Sequence, residues 1–190
     1  MAMNVALRRP MSVEEFLAWE ERQELRHEFD GIQPVAMVGG TSAHSLIAGN
    51  VEAALRGRLR DGCRVYRSDM KLRLAVSIRY PDVMVVCTPV APRATSVTDP
   101  VVVFEVISES TGLTDRIIKA REYRDAPSIA RYVIVEQSGI GATVFERPDW
   151  RGQPLEGPEA RLAMPEIGVE LTLGDFYADI DFAAAEEPDA

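Results

Sequence analysis

A chain of 190 residues with 46% hydrophobic content has the size of one domain with one sizeable core, and two compact domains are not expected. The formal net charge of -9 argues against a general nucleic-acid-binding surface, because phosphate neutralisation drives most non-specific affinity, though a local basic site stays open. No run approaches the roughly 20 apolar residues of a membrane span and no signal-like apolar stretch opens the chain, so the expected setting is cytoplasmic, with no membrane partner.

Met11-Ser12-Val13-Glu14-Glu15-Phe16-Leu17 opens with a capping box, Ser12 and Glu15, and predicts a first helix. Asp30-Gly31, between His27-Glu28-Phe29 and Ile32 to Met37, predicts a hairpin. After the break at Gly39-Gly40-Thr41-Ser42, helical spacing of Ile47, Val51, Ala54, Leu55 and Leu59 predicts a longer helix from His44 to about Arg60, ended by Gly62. Strands are expected at 64–68 and 70–76. Two almost continuously apolar runs, 82–87 and 101–107, read as the core strands of a sheet covered on both faces. Between them, the stretch broken by Pro89, Pro92 and Pro100 reads as an irregular loop.

A third helix is expected from about Leu113 to Arg124, stopped before Pro127, then strands at 132–135 and 142–145. Beyond Pro148 the pattern weakens, with one strand at 169–173 and a short helix over 175–180. Helices mixed with strands on this scale give an α/β domain bordering on α+β, residues 1–180. Asp181, Glu186, Glu187 and Asp189 mark residues 181–190 as an acidic, disordered tail. Cys63 and Cys87 have no partner spacing that suggests a zinc site or a disulfide framework. Both are read as reduced, and Cys87 as buried.

Glu105 is the informative oddity. It stands inside Val-Val-Val-Phe-Glu-Val-Ile, where an unpaired buried charge would cost several kcal/mol, so it requires a partner. Asp82, directly after Pro81, begins the other core strand. If the two strands are neighbours, the carboxylates converge, and two oxygen donors with water suit magnesium. On the following helix, Asp115, Lys119 and Tyr123 are spaced i, i+4, i+8 on one face. Lys71 and Lys119 are the two lysines among 21 basic residues, which marks position 119 as one where a compact ammonium serves better than a guanidinium.

These pieces together resemble the Uma2-like family of restriction-endonuclease-type proteins (DUF820), in the PD-(D/E)XK nuclease superfamily. The resemblance rests on residues 11–17, the His27-Glu28-Phe29-Asp30-Gly31 turn, and His44 opening a helix. It rests further on Pro81-Asp82, Phe104-Glu105-Val106-Ile107-Ser108, Asp115 with Lys119 and Tyr123, and Arg131 to Val135. It implies a restriction-endonuclease-like core, a mixed central sheet flanked by helices, preceded by an N-terminal helix and hairpin. It also implies Asp82 and Glu105 as ligands of magnesium or manganese. Lys119 would replace the lysine normally two residues after the acid, a position held here by Ile107. DNA is the implied substrate and Lys119 the residue that positions the attacking water.

Accessory candidates carry plainer readings beside them. Glu28 is a further metal-site acid or a hairpin salt bridge; His44 is an acid/base or phosphate contact, or a capping residue. Ser108 is a hydrogen-bond donor at the site or turn chemistry. Arg56, Arg58, Arg60, Arg64, Arg67, Lys71 and Arg73 form either a phosphate-contacting stripe or an ordinary solvated face. Against the metal-dependent endonuclease stand a nuclease fold without turnover, serving as a nucleic-acid-binding or protein-interaction module, and a structural homodimer with Glu105 neutralised by an arginine.

Overall fold

The computed structural model describes residues 11–37, 39–107 and 114–182. The capping box forms as expected: Ser12 Oγ accepts from Glu15 N–H, Glu15 accepts from Ser12 N–H, and α1 spans Val13–Glu20. Strands β1 (His27–Phe29) and β2 (Pro34–Ala36) make the hairpin. Asp30 Oδ1 accepts from the Ile32 and Gln33 N–H groups, and Gly31 takes φ +90°, a conformation glycine adopts without strain. Helix α2 (Ser42–Arg56) is capped by Thr41 and stops short of the expected end near Arg60. Gly57 is its C-cap, and Arg58 N–H turns back to Leu55 O, the tight last turn that closes many helices.

Six short strands follow: β3 (Arg64–Arg67), β4 (Lys71–Arg73), β5 (Ile78–Arg79), β6 (Val83–Val86), β7 (Ser96–Val97) and β8 (Val102–Ile107). The single strand expected over 70–76 is broken, because Leu74 N–H bonds Ser77 O and the chain reverses into β5. The third helix is a π-helical segment, Thr114–Lys119, running into α3 (Ala120–Asp125). Strands β9 (Arg131–Glu136), β10 (Gly141–Glu146), β11 (Gln153–Glu156), β12 (Arg161–Met164) and β13 (Val169–Thr172) complete the set. A 3-10 turn at Leu173–Phe176 stands where a helix over 175–180 was expected.

The large sheet has the order β11-β10-β9-β8-β6-β3 and is mixed, β8 running parallel to β9 and antiparallel to β6. Both central runs are buried throughout, which is why their sequences barely alternate. On one face Val83, Val85, Phe104 and Val106 pack against Ile47, Val51 and Leu55 of α2. Burying each of these three helix side chains contributes about 1.5–3 kcal/mol. On the other face Met84, Val103, Ile107 and Tyr132 meet Ala120 and Tyr123 of α3 and Leu72 of β4. A smaller sheet, order β2-β1-β5-β4-β7, carries α1 on a core of Phe16, Phe29, Ile78 and Tyr80. No helix among the described residues is long and apolar enough to cross a membrane.

The expectation for the cysteines changes as well. Cys63 and Cys87 are not reduced but joined in a disulfide, and both are half-buried. The β3–β6 register explains the pairing: Arg64 faces Val86, so the next step sets Cys63 opposite Cys87, with Cα atoms 3.9 Å apart. Spacing in sequence carries no information about that register. Within the expected tail, Phe182 packs its ring 5.8 Å from that of Tyr177; residues 183–190 lie outside the described residues.

Candidate functional site

The segment Arg79-Tyr80-Pro81-Asp82 leads from the end of β5 in the small sheet to the start of β6 in the large one. It thereby sets two acid positions side by side. In the large sheet Val83 pairs with Phe104, and one step further along this antiparallel register Asp82 comes opposite Glu105. In the small sheet Phe29 pairs with Ile78, and one step further Glu28 comes opposite Arg79. Directly opposed residues project to the same face of a sheet.

Asp82 uses one oxygen. Its Oδ2 accepts from Val106 N–H at 2.8 Å and lies 3.1 Å from His44 Nε2, while Oδ1 bonds no group among the described residues and the side chain stays 15% exposed. His44 reaches it from the first turn of α2, where Thr41 Oγ1 takes the His44 N–H. The ring lies so close to Gly40 that a Cβ there would stand 2.9 Å from Nδ1.

Glu105 is buried, and its Oε1 accepts from Lys119 Nζ at 3.0 Å and from Tyr123 OH at 2.8 Å. Among the described residues, the partners that its burial demands include a lysine and a tyrosine one helical turn apart. Lys119 is buried too, and its Nζ also lies 3.4 Å from Glu28 Oε1, so one ammonium bridges two carboxylates. Burial drives the Tyr123 hydroxyl well above its ordinary pKa, and the Glu105 charge adds to that; Tyr123 stays protonated and donates. Burial also pushes Glu28 up, but Lys119 and Arg79 outweigh it and hold this carboxyl below 4.5.

Arg79 and Glu122 belong to the cluster and were not anticipated. The guanidinium donates from Nε and Nη2 to the two oxygens of Glu122, 2.7 Å each, and from Nη1 to Glu28 at 3.0 Å. Burial works against the charged form, but these carboxylates raise the Arg79 pKa overall. The signal was present in sequence: a charge inside Val76-Ser77-Ile78-Arg79-Tyr80 is as anomalous as Glu105 in its own strand. Ser108 and the side chain of Asp115 lie outside the described residues.

The basic stripe is largely compensated. Arg56 and Arg67 share Glu52, Arg58 meets Asp175, Lys71 meets Glu20 and Arg73 meets Glu14. Arg64 donates to Gly62 O, and Arg60 lies near Gly168. No group of three or more His, Cys, Asp or Glu side chains arranged to hold a metal occurs among the described residues.

A mixed sheet, a helix laid on each face and a charged cluster where two sheets meet define an α/β protein of the restriction-endonuclease-like class. The chain belongs to the Uma2 family, described as "Putative restriction endonuclease", whose sequence profile matches residues 13–174. It is 32% identical to "Uncharacterized protein slr1290" of Synechocystis sp. over 90% of this chain and 94% of that one. It is 29% identical to "Uncharacterized protein sll1609" of the same organism over 71% and 80%. The crystal structure of "a putative nuclease belonging to DUF820" from Anabaena variabilis superimposes with a TM-score of 0.72 at 16% identity, covering 89% of this chain and 98% of that one, a likeness of fold.

Proposed function

We propose that the chain is a divalent-metal-dependent nuclease hydrolysing phosphodiester bonds in DNA, with Asp82 and Glu105 holding the ion and Lys119 orienting the attacking water. The observation that carries this reading is the facing register of Asp82 and Glu105, with Lys119 Nζ 3.0 Å from Glu105 Oε1. The donor set fits magnesium, or manganese in its place. Both ligands are hard oxygens, Asp82 Oδ1 bonds no group among the described residues, and magnesium takes one or two carboxylates with waters and substrate phosphates. Bound there, the ion would supply polarisation of the phosphodiester and activation of water.

The chain's own residues do the positioning. Val106 N–H and His44 fix Asp82 through one oxygen and leave the other for a ligand. Tyr123 OH fixes Glu105. Lys119 is held between Glu28 and Glu105, and that pairing sets the place from which its ammonium orients a water or a phosphate oxygen.

A nuclease fold that binds nucleic acid or protein without turnover is the second reading, favoured by the acidic balance of the chain and by Ile107 at the position where the strict PD-(D/E)XK motif has lysine. Cleavage of supercoiled and single-stranded DNA at low salt, with magnesium and with manganese, separates the two. Cleavage by the wild type is expected. Lys119→Arg should keep DNA affinity within a few-fold yet lose on the order of 10²-fold in rate, since arginine meets phosphate well but does not reproduce the ammonium's geometry. No cleavage under any of these conditions supports the second reading; wild-type rates in Lys119→Arg remove Lys119 from the mechanism.

A further inference from the structure

Two successive residues hold the two oxygens of one carboxylate. Arg79 Nη1 donates to Glu28 Oε2 at 3.0 Å, and Tyr80 N–H donates to Glu28 Oε1 at 3.2 Å. The guanidinium is itself held on both edges, because its other edge is paired with both oxygens of Glu122, and its side chain is 2% exposed. Glu122 lies on α3, three residues beyond Lys119. Arg79 therefore bonds the small sheet with one edge and the lysine-bearing helix with the other.

We infer that Arg79 is a positioning residue for the site. By fixing Glu28 directly and α3 through Glu122, it sets the separation at which Glu28 meets the Lys119 ammonium. The planar guanidinium matters here: its donors point along two directions at once, which a lysine's point charge does not do. The oxygen that faces Lys119, Oε1, is the one left when Arg79 takes Oε2, and Tyr80 N–H then locks the carboxylate plane. Without Arg79, Glu28 loses the bond that fixes its orientation and Lys119 loses a placed partner.

This inference deepens the reading of the site given above. Its test uses neither metal nor nucleic acid, so its failure and the failure of that reading are distinguishable. Lys71 and Lys119 are the two lysines of the chain, and Lys71 has its own anchors, Glu20 and the face of the Tyr80 ring, and bonds neither Glu28 nor Glu122 among the described residues. Competitive acylation followed by peptide mass spectrometry therefore reads Lys119 with an internal reference. Arg79→Gln should raise Lys119 labelling on the order of tenfold, the population change that follows loss of a charge-assisted hydrogen bond. Lys71 labelling should stay within about twofold. Adding Arg79→Gln to Glu28→Gln should raise Lys119 labelling no further, because Arg79 acts through Glu28. If Arg79→Gln does not fold, Arg79→Lys and Glu122→Gln carry the same comparison. Unchanged Lys119 labelling, an equal rise at both lysines, or the same fold-rise in the Glu28→Gln background would each overturn the inference.

Discussion

Lys119 Nζ donates to Glu105 Oε1 at 3.0 Å with both side chains less than one-tenth exposed. Removing one member of such a pair strands the other's charge away from water. Glu105→Gln is expected to lower stability by about 3 kcal/mol, the lower end for a broken buried pair, because Glu28 remains beside the ammonium. Combining it with Lys119→Met should bring the loss back to about 1 kcal/mol, since the one charge that loses Lys119, Glu28, keeps Arg79 and the Tyr80 N–H. Urea unfolding of the two single variants and the double variant measures this; simple addition of the two single effects would contradict it.

Acid should loosen the same cluster through Glu28. Although burial raises its pKa, Lys119 and Arg79 overturn this and hold the folded-state value below the ordinary 4.5. A depressed carboxyl contributes stability that is fully present above its unfolded value and is lost as pH falls through the folded one. The stability gap between wild type and Glu28→Gln is therefore expected to be constant above about pH 5 and to shrink steadily below it. A gap that widens on acidification would reverse the assigned sign.

The Cys63–Cys87 bridge ties the edge strand β3 to β6 across 24 residues of sequence. Closing a loop of that length limits the unfolded chain, and reduction is expected to lower stability by about 3 kcal/mol. Thermal melts with and without reductant give the difference. The denatured, unreduced protein should show no free thiol, and two titratable thiols would refute the bridge.

Legibility in the sequence followed the range of each interaction. The capping box at Ser12 and Glu15 and the turn at Asp30-Gly31 are written within a few residues, and both form. The two apolar runs announced a sheet covered on both faces, and they pair as neighbours. Glu105 declared its need of a partner because a lone carboxylate in such a strand is untenable. What the sequence did not carry was register. The Cys63–Cys87 bond, the break of the 70–76 strand at Leu74–Ser77, and the Arg79 link between Glu28 and Glu122 each depend on which residues of distant strands face one another. Strands β11 and β12 were missed for a different reason: β11 is mostly exposed and β12 runs only four residues, so neither offers a pattern long enough to stand out.

Metal binding at Asp82 and Glu105 is measured by calorimetric titration of the metal-free protein with manganese. The wild type should bind weakly. Asp82→Asn, which keeps an acceptor for Val106 N–H, and Glu105→Gln should each abolish that binding while circular dichroism confirms a folded chain. Equal manganese binding by the wild type and by the Asp82→Ala, Glu105→Ala double variant would contradict the site as described.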